Sequence, residues 1–115
     1  MVTKRSARSV FPAIADPTRR KIVDILRGGE MRAGDIAARF KISRPAVAKH
    51  VRILKQAGLL KERREATARI YRLEPAGLAE IDNWIAPYRL FWASRLVTLK
   101  TMLEQEGKSD GGDRS

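Results

Sequence analysis

The chain has 115 residues, one domain of ordinary size, and its 24 Lys and Arg against 13 Asp and Glu leave a net charge of +11. That excess suits a polyanionic partner, nucleic acid or an anionic membrane, better than a neutral small molecule. Cysteine is absent, which excludes disulfides, thiolate metal sites, iron-sulfur clusters, a cysteine nucleophile and thiol redox sensing.

The longest apolar stretch, residues 10–15, is interrupted by Pro12 and is too short for a secretory core or a membrane span. A soluble cytoplasmic protein without membrane contact is therefore expected. The positive charge is regional: residues 1–73 hold 19 basic and 6 acidic side chains, net +13, whereas residues 74–115 hold 5 basic and 7 acidic, net −2. A uniformly solvated surface would not divide this way. The first two thirds read as the anion-binding part and the last third as serving another purpose.

In chain order, a short helix over about 9–15 presents Val10, Phe11 and Ile14. Asp16 followed by Pro17 is a helix-start signal, a side-chain acceptor and then a residue whose φ suits the first turn. The helix it opens has Ile22, Val23, Ile25 and Leu26 as its apolar stripe, carries Arg19, Arg20 and Lys21 outward, and ends at Gly28-Gly29. A segment over about 33–40 places Ile36, Ala37 and Phe40 on one helical face. After a brief break, Ser43 offers an N-cap hydroxyl, Pro45 sits in the tolerated first turn, and a helix runs to Ala57 until Gly58 can take a left-handed stop. Two short helices so close together have helix-turn-helix spacing.

The second of these, SRPAVAKHVRILKQAG, separates its faces at 100° per residue. Val47, Val51 and Leu54 form a narrow apolar stripe, while Pro45, Lys49, Arg52 and Gln56 point away. Small Ala46 and Ala48 beside the long donors Arg44 and Lys49 are what a helix entering a major groove needs. An ordinary amphipathic surface helix is the alternative. Past Gly58 the period changes to that of a two-stranded hairpin whose polar turn is residues 65–68. Arg63, Arg64, Arg69 and Arg72 converge on it, either to straddle a phosphate backbone or as a solvated edge protected against aggregation.

The last third is helical. Pro75 can open a helix, and Leu78, Ile81, Ile85, Tyr88, Trp92, Leu96, Leu99 and Leu103 recur at steps of three or four, with a kink or break expected near Ala86 because of Pro87. Trp84, Tyr88, Phe91 and Trp92 add a dense aromatic cluster. These helices, with Val10 and Phe11, are expected to form a two-fold dimer interface through Val10, Phe11, Ile81, Trp84, Ile85, Tyr88, Phe91, Trp92, Leu96 and Leu99. Intramolecular core is the alternative. Residues 107–115 carry no large apolar side chain and should be disordered.

His50 is the only histidine, so no two-histidine metal motif is possible, and glycine-rich nucleotide fingerprints are missing. No enzyme, cofactor or metal site is expected. His50 itself is either a boundary residue bonding a backbone or phosphate oxygen, or a base-edge contact.

Taken together, ADPTRRKIVDILRGGE, ISRPAVAKHVRILKQAGLLKERRE and ARIYRLEPAGLAEIDNWIAPYRLFW resemble the ArsR-type (arsenic-repressor-like) winged-helix transcription regulators over residues 9–106. The resemblance implies a mainly α fold with a small β-hairpin, a winged helix-turn-helix with N- and C-terminal dimerisation helices at about 9–15 and 75–106. It implies a homodimeric repressor of an imperfectly palindromic operator, with residues 43–52 as recognition helix and 63–72 as wing. Metal-sensing members carry Cys-x-Cys on the first helix of the motif, or His and carboxylate ligands on the C-terminal helices. Here Asp35-Ile36-Ala37 stands in the first place and no C-terminal histidine in the second, so metal sensing through those sites is not expected; the C-terminal Trp-x-x-Pro-Tyr-x-x-Phe-Trp stretch resembles a non-metal branch of the family. The wing tip, Glu65-Ala66-Thr67-Ala68, lacks the glycine common in the family.

The expected activity is sequence-specific binding of double-stranded DNA, as a dimeric repressor occluding a promoter. Ser43, Arg44, Pro45, Ala46, Lys49, His50, Arg52, Arg63, Arg64 and Arg69 are the candidate DNA contacts. A sequence-tolerant architectural DNA-binding protein is the alternative, favoured by the net charge. No effector is identified by these residues.

Overall fold

In a computed structural model, described here for residues 9–114 and for side chains as far as Gly107, the chain divides into two units at Ile81/Asp82. The first opens with α1, Val10–Ile14, capped by Ser9 Oγ accepting from the Phe11 amide at 3.3 Å. It continues with α2, Pro17–Leu26, where Asp16 Oδ2 accepts from the Arg19 amide at 3.0 Å. That bond and the nearby guanidinium hold the Asp16 carboxyl below its usual range. β1, Met31–Arg32, leads into α3, Ala33–Ala37, and then α4, Arg44–Gln56. The wing is β2, Leu60–Glu65, and β3, Ala68–Leu73, followed by α5, Pro75–Arg114.

The core is where the helical stripes meet the inner face of the sheet. Val10, Ile22, Ile36, Leu54 and Leu59 are wholly buried, with Val47, Val51, Leu60 and Tyr71 nearly so. Each such aliphatic side chain contributes roughly 1.5–3 kcal/mol by leaving water. Leu78 and Ile81, from the first turns of α5, pack on the same cluster.

Several expectations change. The hairpin is part of a three-stranded antiparallel sheet, order β1-β3-β2, because Met31 and Arg32 pair with Tyr71 and Ile70. Arg19 does not point outward: its Nε and Nη2 donate to the Ala13 and Pro12 carbonyls at 2.6 and 3.3 Å. Arg20 Nη1 does the same for Ile14 and Ala15 at 2.9 and 3.1 Å. The end of α1 presents carbonyls with spare acceptor capacity, and these draw the guanidinium groups in. Val10 lies in its own chain's core with no exposed surface, so it has none to offer a second copy.

α5 is helical through Pro87, so the expected break is absent. Proline removes one amide donor and leaves the carbonyl four residues back without it, and Asn83, which bears that carbonyl, is solvent-exposed. The same helix extends beyond residue 106, where composition predicts disorder. Adding a residue to a formed helix gains a hydrogen bond for each residue fixed.

Between β2 and β3 only Ala66 and Thr67 intervene, and Ala66 has φ +56°, a left-handed conformation that costs a non-glycine residue roughly 1–2 kcal/mol. Ala66→Gly is expected to raise stability by about 0.5–1 kcal/mol, net of the greater freedom of glycine in the unfolded chain. A urea midpoint that falls instead would show that the turn is not strained.

Candidate nucleic-acid interface

α4 begins where the sequence asks it to. Ser43 Oγ accepts from the Ala46 amide at 3.3 Å, and Pro45 lies in the first turn, where its missing donor is not needed. It stops in a complete left-handed cap: Gly58 at φ +84°, its amide on the Lys55 carbonyl and the Leu59 amide on the Leu54 carbonyl, each at 3.0 Å. Val47, Val51 and Leu54 face the core, while Ser43, Arg44, Pro45, Ala48, Lys49, Arg52 and Gln56 are exposed. Ala46 and His50 lie on the boundary.

His50 is held from below. Arg19 Nη1 donates to His50 Nδ1 at 3.1 Å. Arginine has no acceptor, so Nδ1 contributes its lone pair and the ring proton resides on Nε2. Asp16 Oδ2 lies 3.9 Å from the same nitrogen. The boundary position is the one expected for His50. Its Nδ1 partner, however, is a guanidinium rather than a backbone or phosphate oxygen, and Nε2–H is the remaining donor.

The four wing arginines do not converge. Side chains alternate faces along a strand, and the register pairs Arg64 with Arg69, Arg63 with Ile70 and Lys61 with Arg72. Arg64 and Arg69 therefore share one face with Glu62 and Tyr71, and Arg63 and Arg72 share the other. Arg63 is fully engaged. Its Nε and Nη2 grip the Glu30 carboxylate at 3.2 and 2.6 Å while Nη1 donates to Glu65 at 2.8 Å. The guanidinium holds both carboxyl groups below their usual range. With two carboxylates at its fork, Arg63 brings less net charge to a phosphate than an unpaired arginine would.

The other face ties the wing to α4. Glu62 accepts from the Tyr71 hydroxyl at 2.8 Å and from Lys55 Nζ at 3.2 Å. The tyrosine bond first, then the lysine, keeps its carboxyl low, and burial followed by that same bond pushes the phenol up. Arg64 Nε stands 3.8 Å from Glu62. Sequence reasoning singled out neither Glu62, Tyr71 and Lys55 nor Glu30. Strand alternation placed Glu62 on the face of Arg64, but nothing local placed a partner for Lys55.

The cations of α4 and the wing differ in their partners, and Lys61, Arg69 and Arg72 of the wing have no ion pair among the described residues. Lys55, Arg63 and Arg64 have carboxylates nearby. Arg44, Lys49 and Arg52, on the outer side and wing-side flank of α4, have no ion-pair partner among the described residues. An exposed helix face with unpaired long donors beside small Ala46 and Ala48 can approach a polyanion closely and donate to it.

In the second unit, a broad stripe of α5 is apolar and exposed. Tyr88, Phe91, Trp92, Leu96 and Leu99 are all about half exposed or more. Trp84 and Tyr88 pack at 5.1 Å between ring centroids, Phe91 and Trp92 edge-to-face at 5.8 Å, and Arg95 covers Phe91 at 4.9 Å. Among the described residues, no helix is long and apolar enough to cross a membrane.

The profile of the bacterial regulatory protein, arsR family, matches residues 16–62, from the cap of α2 into the wing. The transcriptional repressor SdpR of Bacillus subtilis is 48% identical over 77 residues, 67% of this chain and 86% of its own length. The HTH-type transcriptional regulator Rv2034 of Mycobacterium tuberculosis is 37% identical over 107 residues, 93% of this chain and 97% of its own. Among solved structures, a homodimeric winged helix-turn-helix DNA-binding domain of Mb0332 from Mycobacterium bovis, a possible ArsR-family regulator, superposes with a TM-score of 0.59. It is 27% identical over 78% of this chain and 80% of that one. With the winged helix-turn-helix fold in place, the family profile over residues 16–62 and relatives matched over 67% and 93% of its length, the chain belongs to the ArsR family of transcriptional regulators.

Proposed function

We propose that the protein is a cytoplasmic dimeric repressor that binds an imperfectly palindromic operator and occludes a promoter. Each subunit lays α4 in a major groove, with half-sites about one helical turn, roughly 34 Å, apart. Arg44 and Lys49 donate to guanine edges and Ser43, Arg52, Arg64 and Arg69 to phosphates, while Pro45, Ala46 and Ala48 allow close approach. His50 Nε2–H donates to a phosphate on the flank of the helix. The observation that carries this reading is the outer face of α4, whose exposed cations Arg44, Lys49 and Arg52 lack carboxylate partners among the described residues, as do Arg69 and Arg72 of the wing, whereas Lys55, Arg63 and Arg64 have them. The name of SdpR as a repressor and the homodimeric state of the Mb0332 domain support the regulatory and dimeric parts.

Lys49→Ala is expected to cost about 1–3 kcal/mol on the operator and to relax specificity, whereas Arg64→Ala should weaken all sequences alike and lower the salt slope by about one. Sites selected from random duplexes supply the operator, and retardation against nonspecific competitor gives the ratio. Equal effects of both changes on operator and random DNA would refute the assignment. A preference below roughly a thousandfold would favour an architectural protein instead.

A further inference from the structure

Between α3, α4 and the wing lies an open cleft of about 160 Å³. Its walls are Ala33, Gly34 and Ala37 of α3 with Val47, Ala48 and Val51 of α4, and Tyr71 closes it from β3. Val47, Val51 and Tyr71 are nearly buried, so the floor is core side chain rather than wet surface. Arg44 and Arg69 are its only charged lining residues. Among the described residues no carboxylate lines it: Asp35 lines the adjoining groove with Arg32 and Thr67, and Glu62 reaches the cleft wall only through the Tyr71 hydroxyl.

Size and charge together select a ligand class. A cavity of about 150 Å³ lined by apolar groups accepts a benzene-sized molecule. Two cations at the rim, with no carboxylate in the lining, favour an anion there, and a guanidinium fork matches a planar carboxylate in two parallel bonds. Arg44 has no ion-pair partner among the described residues. Arg69 interacts with the Tyr71 hydroxyl and lies in the field of Glu62, so its charge is partly committed and Arg44 carries more of the attraction.

We propose that this cleft binds a small aryl carboxylate of benzoate size, ring against Val47, Val51 and Tyr71 and carboxylate on Arg44 and Arg69. The regulatory consequence rests on the DNA-binding reading above: a ligand that engages Arg44 withdraws a donor from the major groove and lowers operator affinity.

The probe is benzoate, followed through the methyl resonances of the dimer or monomer as it exists in solution without DNA. Saturable shifts confined to Ala33, Ala37, Val47, Ala48 and Val51 are expected, with a Kd of about 0.1–1 mM for a ligand of this size. Benzyl alcohol, which has the ring without the charge, and inorganic phosphate, which has charge without the ring, should each bind at least about tenfold more weakly, as the loss of one of the two interactions demands. Arg44→Ala, at an exposed position that the fold tolerates, should weaken benzoate about tenfold, and Ala37→Leu should fill the cleft and abolish the shifts. No saturation by about 20 mM benzoate, well above the expected Kd, equal binding of phosphate or benzyl alcohol, or undiminished shifts in Ala37→Leu would each overturn the site. Failure of the DNA-binding reading is separately visible as absence of retardation by any duplex without ligand, and leaves the methyl titration to decide the cleft.

Discussion

Trp92→Glu combined with Leu96→Glu is expected to halve the mass measured by light scattering at micromolar concentration and to lower operator affinity by about a hundredfold or more. Both side chains are largely exposed in the single chain, 60% and 59%, so the substitution removes little intramolecular packing and the subunit should keep its helical circular dichroism. A two-fold interface is isologous, so each substitution enters it twice and brings four carboxylates into one apolar contact. Removing charges of one sign from water without partners costs far more than an interface of this kind supplies. The effect on DNA follows from linkage: each subunit has one α4, and joining two makes the second half-site contact intramolecular, a gain of about 10²–10⁴ in apparent affinity. A double variant that stays dimeric, or a monomer that keeps full operator affinity, would exclude the α5 stripe as the pairing surface.

α4 was readable in the sequence because every level agreed on it. A capping hydroxyl at Ser43, proline in the first turn, an apolar step of three or four and a glycine stop at Gly58 bound the helix to within a residue of what the structure has. β1 was not readable, since two residues are too few to display alternation, and Met31 and Arg32 become a strand only because β3 offers an edge. The wing lies between these cases. That Arg63 and Arg64 face opposite ways follows from their adjacency in a strand, so the separation of the arginines was available from parity alone. The pairing of Arg63 was not, because Glu30 is 33 residues away and meets it only through the folded sheet. Arg19 has the same cause. Its inward turn depends on carbonyls at the end of α1 and on His50 across the fold, which no local pattern encodes.

The candidate site inherits this division. Its reading face was legible because exposure on a helix follows from the periodicity of what is buried, and the exposed set Pro45, Lys49, Arg52 and Gln56 is the complement of Val47, Val51 and Leu54. What orients that face was hidden. Arg19 on one flank and the Lys55–Glu62–Tyr71 chain on the other are both contacts between distant segments.

Gly77→Ala is expected to destabilise the protein by about 2–4 kcal/mol, as overpacking against an unyielding neighbour does at its upper end. By composition the change looks favourable, because alanine in a helix interior exceeds glycine by about 1 kcal/mol. Here the first turn of α5 presses on the stop of α4. A methyl at Gly77 would clash with the Gly58 carbonyl oxygen and stand 2.8 Å from its carbon. These are backbone atoms, and they cannot swing aside as a side chain would. Gly58 is itself fixed by the left-handed cap, with φ +84° and the amide of Leu59 bonded back to Leu54. The Leu59 carbonyl is held too, accepting from the Glu74 amide at 2.8 Å. Relief must therefore come from moving α5 off the core, which withdraws Leu78 and Ile81 from the cluster they pack on. For a unit of this size each kcal/mol lowers the melting temperature by roughly 4–8 °C, so a drop of about 10–20 °C or more is expected. Gly34→Ala is the internal control. It has open space around the site and should be neutral or gain up to about 1 kcal/mol. If Gly77→Ala melts with the parent, α5 does not bear on the α4 stop as described, and the contact between these two turns is looser than the geometry requires.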